Sequence, residues 1–362
     1  MAKIAKWSPT PHLHSRSSTQ QMMNEFTAVL IAVSLFALIV YGYQWGMEYA
    51  IKGALIIVTA IVAAILTETV YFTLQKKFSN VYEWLAIIAK SYPIITSLLL
   101  ALCLPIGTPL PVVAVGSGVA IFLGKLVFGG VGYNPFNPAL IGRAFVTITW
   151  GGLLTTTLVT TDAVSSVTPL VNLSQQGHIG TYETVVGPYG NMWTLLVGNY
   201  PSAIGESVSI AIILAAIYLI AKKIIDWRIP VFYLGTVFIM TWIIGAMNGI
   251  SGIWYPVFHL LTGGILFGAV FMATDLVTSP VARKGKIVFA LGLALLTVII
   301  RLLGNYPEGV FFSILFMNLF KPVIDRCFMG RMSLPLKTSE KVFWFSGGII
   351  VVLVAVLIGA LI

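Results

Sequence analysis

The sequence predicts an all-α polytopic membrane protein, from its hydropathy, its low charge and the positions of its basic residues. Of the 362 residues, 58% are hydrophobic and 9% are charged, and the mean hydropathy is +0.96. Because soluble domains carry about 25% charged residues, a soluble protein is excluded. The net charge of +9 comes from short basic clusters between apolar runs. That distribution is typical of membrane topology and not of nucleic-acid binding.

About ten to eleven transmembrane helices are expected, because one span needs about 20 mostly apolar residues. Five apolar runs precede a long polar loop, five follow it, and one more ends the chain. With an odd number of spans in each half, the second half enters the membrane inverted, so we expect two inverted five-helix repeats. The runs lie at residues 26–45, 50–74, 84–104, 110–127, 138–158, 207–221, 229–248, 253–273, 286–303, 309–326 and 342–362.

The domain organisation follows from these runs. A cytoplasmic segment at 1–25 is followed by the first five-helix membrane repeat at 26–158. An extracytoplasmic loop at 159–206 separates it from the second repeat at 207–327. Residues 328–362 then form a linker and an extra helix.

Basic residues predict the orientation in the membrane. If the amino terminus is cytoplasmic, the clusters within 3–16, 76–77, 222–228, 283–286 and 331–341 all fall on the cytoplasmic side. The loop at 159–206 contains none of the 21 Lys and Arg residues, which indicates the opposite face.

Thr168 and Arg143 are the first candidates for a ligand site. A Thr before Pro169 takes an extended conformation, so its hydroxyl is available to accept a phosphoester; a plain turn residue is the alternative. Arg143 lies near the start of an apolar run, where a charge indicates a partner, an ion path or an anionic ligand, unless it snorkels to the interface. Asn134 and Asn137 could bind a polar ligand or satisfy the backbone of a broken helix.

Three acidic residues are candidates for an ion path. Glu68 lies inside the second predicted span and could ligate a cation or relay a proton. Asp275 ends the eighth span, where it could instead cap a turn or pair with Arg283. Glu308 follows the Gly-Asn-Tyr-Pro turn before the tenth span.

The histidines and cysteines predict no metal site. Cys103 and Cys327 lack the spacing of a disulfide framework or a zinc set. His259 is alone among the predicted spans, which disfavours an intrinsic haem with two histidine ligands. With no nucleotide-binding motif visible, any redox chemistry would rely on another bound cofactor, and we expect no catalytic residue.

Several short segments together resemble the D subunit of the Rnf ion-translocating electron-transport complex. The resemblance to the B subunit of the Na⁺-translocating NADH:quinone reductase is more distant, and a length near 360 with short outer loops favours the Rnf subunit. The segments occur in order over about residues 5–327: Ser8-Pro9 with His12, 134–145 (NPFNPALIGRAF), 162–170 (DAVSSVTPL), 259–264 (HLLTGG), 273–278 (ATDLVT) and 304–310 (GNYPEGV).

The resemblance implies a covalent flavin. In that family FMN is attached through its phosphate to a Thr in a Ser-Gly-Ala-Thr-like motif on the outer face, and the matching residue is Thr168. This chain has Ser166 and Val167 where the family often has Gly and Ala, but it keeps the acceptor and the following Pro-Leu. We therefore expect FMN at Thr168, with Ser165 and Ser166 bound to its phosphate.

The resemblance also implies a second flavin and a fold. Family members hold riboflavin in the membrane, and we assign it to Gly129, Gly130, Asn134 and Asn137, because glycine lets a flat ring approach the backbone. Arg143 could stabilise an anionic flavin or its phosphate. The family's fold resembles that of urea transporters, in agreement with the two inverted repeats.

The function implied is that of a flavin-bearing membrane subunit, not catalytic alone. It would act in a complex that couples electron transfer between ferredoxin and NAD to Na⁺ or H⁺ translocation, in a prokaryotic cell membrane. Its partners would be the other membrane and peripheral subunits, membrane lipid and the coupling ion. The alternative is a solute channel or transporter of the same inverted-repeat fold without cofactor.

Overall fold

The computed structural model describes residues 18–154, 168–304, 309–328 and 337–362, with the backbone alone for 337–343, 345 and 346. Throughout these residues every regular element is helical, which confirms the all-α prediction. The helices are α1 (Thr19–Gln44), α2 (Met47–Leu74), α3 (Val81–Ser91), α4 (Pro93–Leu102), α5 (Leu110–Ile121), α6 (Pro138–Trp150), α7 (Pro169–Gln175), α8 (Tyr182–Val185), α9 (Met192–Val197), α10 (Ser209–Ala221), α11 (Arg228–Met247), α12 (Trp254–Leu261), α13 (Ile265–Phe267), α14 (Arg283–Leu303), α15 (Val310–Phe328) and α16 (Lys337–Leu361).

Several helices have the length and hydropathy of membrane spans. Within the described ranges, α1, α2, α11 and α14 each pass that test, and the bent pairs α3–α4 and α12–α13 raise the number to six if each pair is one span. Shorter apolar helices lie at Leu110–Leu126, Ser209–Ala221 and Gly347–Leu361. A multi-pass membrane protein is therefore supported, although fewer helices reach full span length than the eleven apolar runs predict.

The predicted span at 84–104 is not one continuous helix. Helices α3 and α4 meet at an angle of 50°. Tyr92 between them has a left-handed backbone with φ of 52°, and Pro93 opens α4. Proline is tolerated at the first helical position because its missing N–H has no intrahelical partner there. We call the segment Ser91–Tyr92–Pro93 the first break.

The predicted span at 253–273 is divided in the same way. Helix α12 and the segment Ile265–Met272 are bent by 65°. Gly263 and Gly264 both have φ of 67°, a conformation that glycine adopts without the strain of a Cβ. We call the segment Thr262–Gly263–Gly264 the second break. Each break lies in the third apolar element of its half of the chain.

The two halves pack their helices in the same order. The second apolar helix lies along the fourth in each half, α2 on α5 and α11 on α14. The fourth helix also packs on the fifth, as α5 on α6 and α14 on α15. Contacts of α1 with α10 and of α6 with α15 join the halves. The breaks are thus held in two similarly packed groups of helices.

Small residues allow the close crossing of α5 and α6. A Cβ on Gly142 would lie 2.6 Å from the carbonyl oxygen of Gly116, and a Cβ on Gly116 would lie 2.5 Å from Val146. Glycine at such positions lets the two backbones approach closely, as is usual between membrane helices.

The segment between the halves packs as a small helical cap on α12. Helices α7, α8 and α9 contribute a buried cluster against Tyr255 and Phe258 of α12, and the Tyr255 hydroxyl donates to the carbonyl oxygen of His178 at 3.0 Å. The remaining members of the cluster are Leu170, Leu173, Val185, Val186, Leu195 and Tyr200. This packing holds the start of α7, and therefore Thr168, against the second half.

We predict that Gly142→Val destabilises the protein by about 1–3 kcal/mol, the usual effect of overpacking a core. The added Cβ alone would lie 2.6 Å from the Gly116 carbonyl oxygen and 2.7 Å from the Ala120 Cβ. Thermal unfolding of the purified protein in detergent measures the change. Gly235→Val on α11, where a Cβ meets no atom within 4 Å, is the matched control. Equal melting temperatures for the two variants would contradict the close crossing.

Candidate functional site

A buried ion pair lies at the first break. Lys125, in the π-helical turn Phe122–Leu126 after α5, is 3% exposed, and Glu68 of α2 is fully buried. Lys125 Nζ donates to Glu68 Oε1 at 2.6 Å and also to the carbonyl oxygen of Ser91. The Ser91 hydroxyl donates to the same Glu68 oxygen at 2.7 Å. The ammonium therefore caps the carboxyl end of α3, where a positive charge is favourable.

Arg301 has the equivalent position at the second break. This α14 side chain is 2% exposed. Its Nη1 donates to the carbonyl oxygen of His259 at 2.7 Å, and its Nη2 donates to those of Thr262 and Gly263 at 3.1 and 3.0 Å. A Cβ on Gly263 would lie 2.9 Å from Nη2, so the glycine is needed for this approach. In both halves, a basic residue after or within the fourth helix caps the break in the third.

Acidic and phenolic groups surround the second break. A Cβ on Gly264 would lie 2.6 Å from Oε1 of Glu206, which is 2% exposed. Burial raises the pKa of the Tyr200 phenol, and the charge of Glu206 raises it further. Tyr200 therefore remains a neutral donor, and its hydroxyl bonds to the carbonyl oxygen of Leu261 at 2.9 Å.

A cavity adjoins the first break. Ser91, Tyr92 and Lys125 line one wall, and most of the remaining wall is apolar. The other lining residues with a polar group are Thr96, Asn134, Asn137, Thr274 and Asp275. A mainly apolar pocket with a few polar groups is the usual form of a cofactor site.

Asn134 and Asn137 line this cavity and also hold the local backbone. Asn137 Oδ1 accepts a hydrogen bond from the N–H of Ala139 at 3.1 Å and so caps α6. Asn134 Nδ2 donates to the carbonyl oxygen of Phe136 at 3.0 Å. Both side chains therefore satisfy local backbone groups, which was one of the two roles expected for them. A ligand contact by them stays a prediction.

Gly129 and Gly130 lie just before the cavity residue Val131. Their φ angles are 109° and 104°, so both need the conformational freedom of glycine. A Cβ on Gly129 would meet the ring of Tyr133 at 3.7 Å, whereas Gly130 has open space around it. The predicted approach of a flat ring to this turn stays a prediction.

Arg143 is buried and does not snorkel to an interface. It is 4% exposed on α6, and its guanidinium lies 5.4 Å from the ring centre of Phe311 on α15. This is the distance of a cation–π contact. Arg143 thus connects the fifth helices of the two halves, and its predicted role toward a flavin stays untested.

Asp275 lines the cavity and stabilises its own turn. Its Oδ2 accepts hydrogen bonds from the hydroxyl of Thr278 at 2.9 Å and from the N–H of Thr278 at 3.3 Å. Asp275 therefore caps a turn, the role that the sequence analysis gave as an alternative to an ion path. Glu308, the third acidic candidate, lies outside the described residues.

Thr168 is held with its hydroxyl unsatisfied. It is the residue before α7, its backbone is extended, and its carbonyl oxygen accepts from the N–H of Asn172 at 3.0 Å. Its Oγ1 is buried and has no hydrogen-bond partner among the described residues. Leu170, two residues on, packs against Gly263 at the second break. Ser165 and Ser166 lie outside the described residues.

Known proteins match the chain over most of its length, and a model of the NQR2, RnfD, RnfE family matches residues 6–333. The chain belongs to this family. The D subunit of the proton-translocating ferredoxin:NAD⁺ oxidoreductase complex of Clostridium ljungdahlii is 40% identical over 324 residues, 88% of this chain and 93% of the relative. The D subunit of the Na⁺-translocating complex of Acetobacterium woodii is 39% identical over 321 residues, 88% of this chain and 92% of the relative.

The B-type members of the family match a smaller part of the chain. The B subunit of the Na⁺-translocating NADH-quinone reductase of Chromohalobacter salexigens is 36% identical over 243 residues, which are 65% of this chain and 57% of the relative. Coverage of both chains is greater for the D subunits of Clostridium ljungdahlii and Acetobacterium woodii. The resemblance to the Rnf D subunit is confirmed.

The sequence interpretation did not identify Lys125 and Arg301. Each is a cation inside an apolar run, Lys125 in 110–127 and Arg301 in 286–303. A charge in such a run indicates a buried partner, and this signal could have identified both residues. The sequence predicted Glu68 as an acidic candidate, but Lys125, the cation that it contacts, was not predicted.

We predict that Arg301→Met destabilises the protein by about 3 kcal/mol or more, because buried carbonyl groups lose charge-assisted hydrogen bonds. Unfolding of the purified protein in mixed micelles measures the change. Arg301→Lys keeps the charge without the planar fork and should show an intermediate effect. The exposed Arg326→Met on α15 is the control. A stability of Arg301→Met equal to that of the control would refute the capping role.

Proposed function

We propose that the chain is the flavin-bearing membrane subunit of an Rnf-type complex, which couples electron transfer between ferredoxin and NAD to ion translocation. Membership of the family and the D-subunit relatives support this class of function. The observation that carries the flavin assignment is the hydroxyl of Thr168, buried without a hydrogen-bond partner among the described residues. A flavin supplies electron transfer, and the protein supplies its position and electrostatic environment.

Thr168 would hold FMN by a phosphoester of its Oγ1. Its extended backbone and Pro169 keep the hydroxyl from turning back onto α7, and no cap hydrogen bond uses it. Ser165 and Ser166 would bind the phosphate oxygens. Packing of Leu170 on Gly263 would keep this attachment point next to the second break.

Riboflavin would occupy the cavity at the first break. Its wall is mainly apolar, and the polar groups of Asn134, Asn137 and Asp275 there would bind the polar edge of the ring. Gly129 and Gly130 would allow close approach of the ring from the adjoining turn, and Arg143 would favour an anionic flavin or its phosphate.

In two inverted five-helix repeats, the FMN at the outer face and the riboflavin within the membrane would each lie next to the break of one half. The matched helix order, the break in each third element and the basic cap at each break support this relation. The basic clusters support a cytoplasmic amino terminus and an extracytoplasmic flavin loop, in a prokaryotic cell membrane. Electrons would then pass between the outer face and the embedded site, and the remaining subunits of the complex would supply and remove them.

The ion path would include Glu68, Asp275 and Glu308. Overall similarity does not favour one ion, because the relatives named for H⁺ and for Na⁺ are 40% and 39% identical to this chain. Lipid would surround the apolar outer faces of the bundle.

We predict that the wild-type protein gives a fluorescent flavin band in a denaturing gel and that Thr168→Val gives none, because the phosphoester needs the hydroxyl. Ser174→Ala in α7 is the matched control; its hydroxyl bonds to the Val171 carbonyl oxygen at 2.8 Å, and its loss should leave the band unchanged. The opposing result is a wild-type chain of unmodified mass from cells that contain the flavin transferase. That result would favour the solute channel without cofactor if non-covalent flavin is absent as well.

A further inference from the structure

Lys125 separates Glu68 from the cavity. Its ammonium donates to Glu68 Oε1 and to the Ser91 carbonyl oxygen, yet the same residue lines the cavity wall. Glu68 itself is fully buried and is not among the lining residues. The order from the cavity inward is therefore a cation and then a carboxylate, so any charge that enters the cavity meets the cation first.

Among the described residues, the carboxylate of the ion pair is bonded at one of its two oxygens. Glu68 Oε1 accepts from Lys125 Nζ and from the Ser91 hydroxyl. Glu68 Oε2 is buried and has no hydrogen-bond partner among the described residues. A buried carboxylate is stable only when it is paired and bonded, so Glu68 depends on Lys125 for its charge.

The surroundings of Glu68 suit a proton better than a metal ion. The groups that bond to it are Lys125 and the Ser91 hydroxyl, and a cluster of buried apolar side chains lies on α2, α3 and the end of α5. Tyr71 on α2 bonds to the Leu126 carbonyl oxygen, and Tyr92 and Asp275 are the other titratable groups that line the cavity. A hard cation would need several oxygen ligands, whereas a proton needs only Oε2.

We propose that Lys125 exchanges its carboxylate partner for negative charge in the cavity, and that Glu68 then takes up a proton at Oε2. The proposal rests on the proposed function, since a flavin bound in the cavity would supply the negative charge by accepting an electron. Lys125 stays protonated throughout. One electron enters the cavity and one proton enters Glu68, so the net charge of the site is unchanged. Lys125 thereby acts as a positioning residue that links reduction to proton uptake.

Redox titration of the non-covalent flavin in the purified complex tests the role of Lys125. Lys125→Met leaves Glu68 facing the cavity and should weaken electron uptake at least tenfold, which is 59 mV for a one-electron couple. Glu68→Gln leaves the ammonium uncompensated and should shift the potential in the opposite direction. The double variant should return toward wild type, and Lys125→Arg should stay near it. Shifts of opposite sign cannot come from a general folding defect.

The proton is tested by infrared difference spectra of the same complex on reduction. Wild type should show protonation of a carboxyl group, and this signal should be absent in Glu68→Gln and reduced in Lys125→Met. Lys52→Met, which removes the exposed Glu48–Lys52 pair of α2, is the matched control for both measurements. Unchanged potentials in Lys125→Met and Glu68→Gln with the flavin retained would overturn the partner exchange. A flavin potential that depends on Na⁺ concentration instead of pH would overturn the uptake of a proton by Glu68. A wild-type complex without non-covalent flavin would overturn this inference together with the embedded flavin site.

Discussion

The rest of the structure depends on the capping of two broken helices by buried cations. A helix interrupted within a membrane leaves carbonyl groups that neither water nor the next helical turn can satisfy. Lys125 bonds to the carbonyl oxygen of Ser91, and Arg301 bonds to those of His259, Thr262 and Gly263. Without these contacts the carbonyl groups at each break would lack hydrogen-bond partners in an apolar environment.

The breaks also determine where ligands can be held. At the first break the bend between α3 and α4 leaves a cavity, and the capping cation forms part of its wall. At the second break the absence of a side chain on Gly263 admits Leu170, which holds the start of α7 and hence Thr168. The proposed flavin positions therefore both follow from the interruption of the third helix in each half.

Glu68 shows why a candidate residue needs its neighbours before a role can be argued. Alone, a carboxylate in a span suggests an ion ligand. With Lys125 at 2.6 Å and Ser91 at 2.7 Å it is one member of a bonded group beside the cavity. Asn137 and Asp275 show the reverse, because both have local capping contacts that account for them before any ligand is considered.

Sequence alone determined the helical membrane class, the apolar runs and the resemblance to the family, because these depend on composition and on residues close in the chain. It also predicted Thr168 as the acceptor. It did not separate the third run of each half into two helices, since hydropathy averages over Tyr92–Pro93 and over Gly263–Gly264. Only the tertiary structure decided the pairing of Glu68 with Lys125, 57 residues apart, and the contact of Arg301 with His259, 42 residues apart. The physical reason is that a buried charge is stabilised by groups that folding brings to it, and their distance along the chain carries no signal.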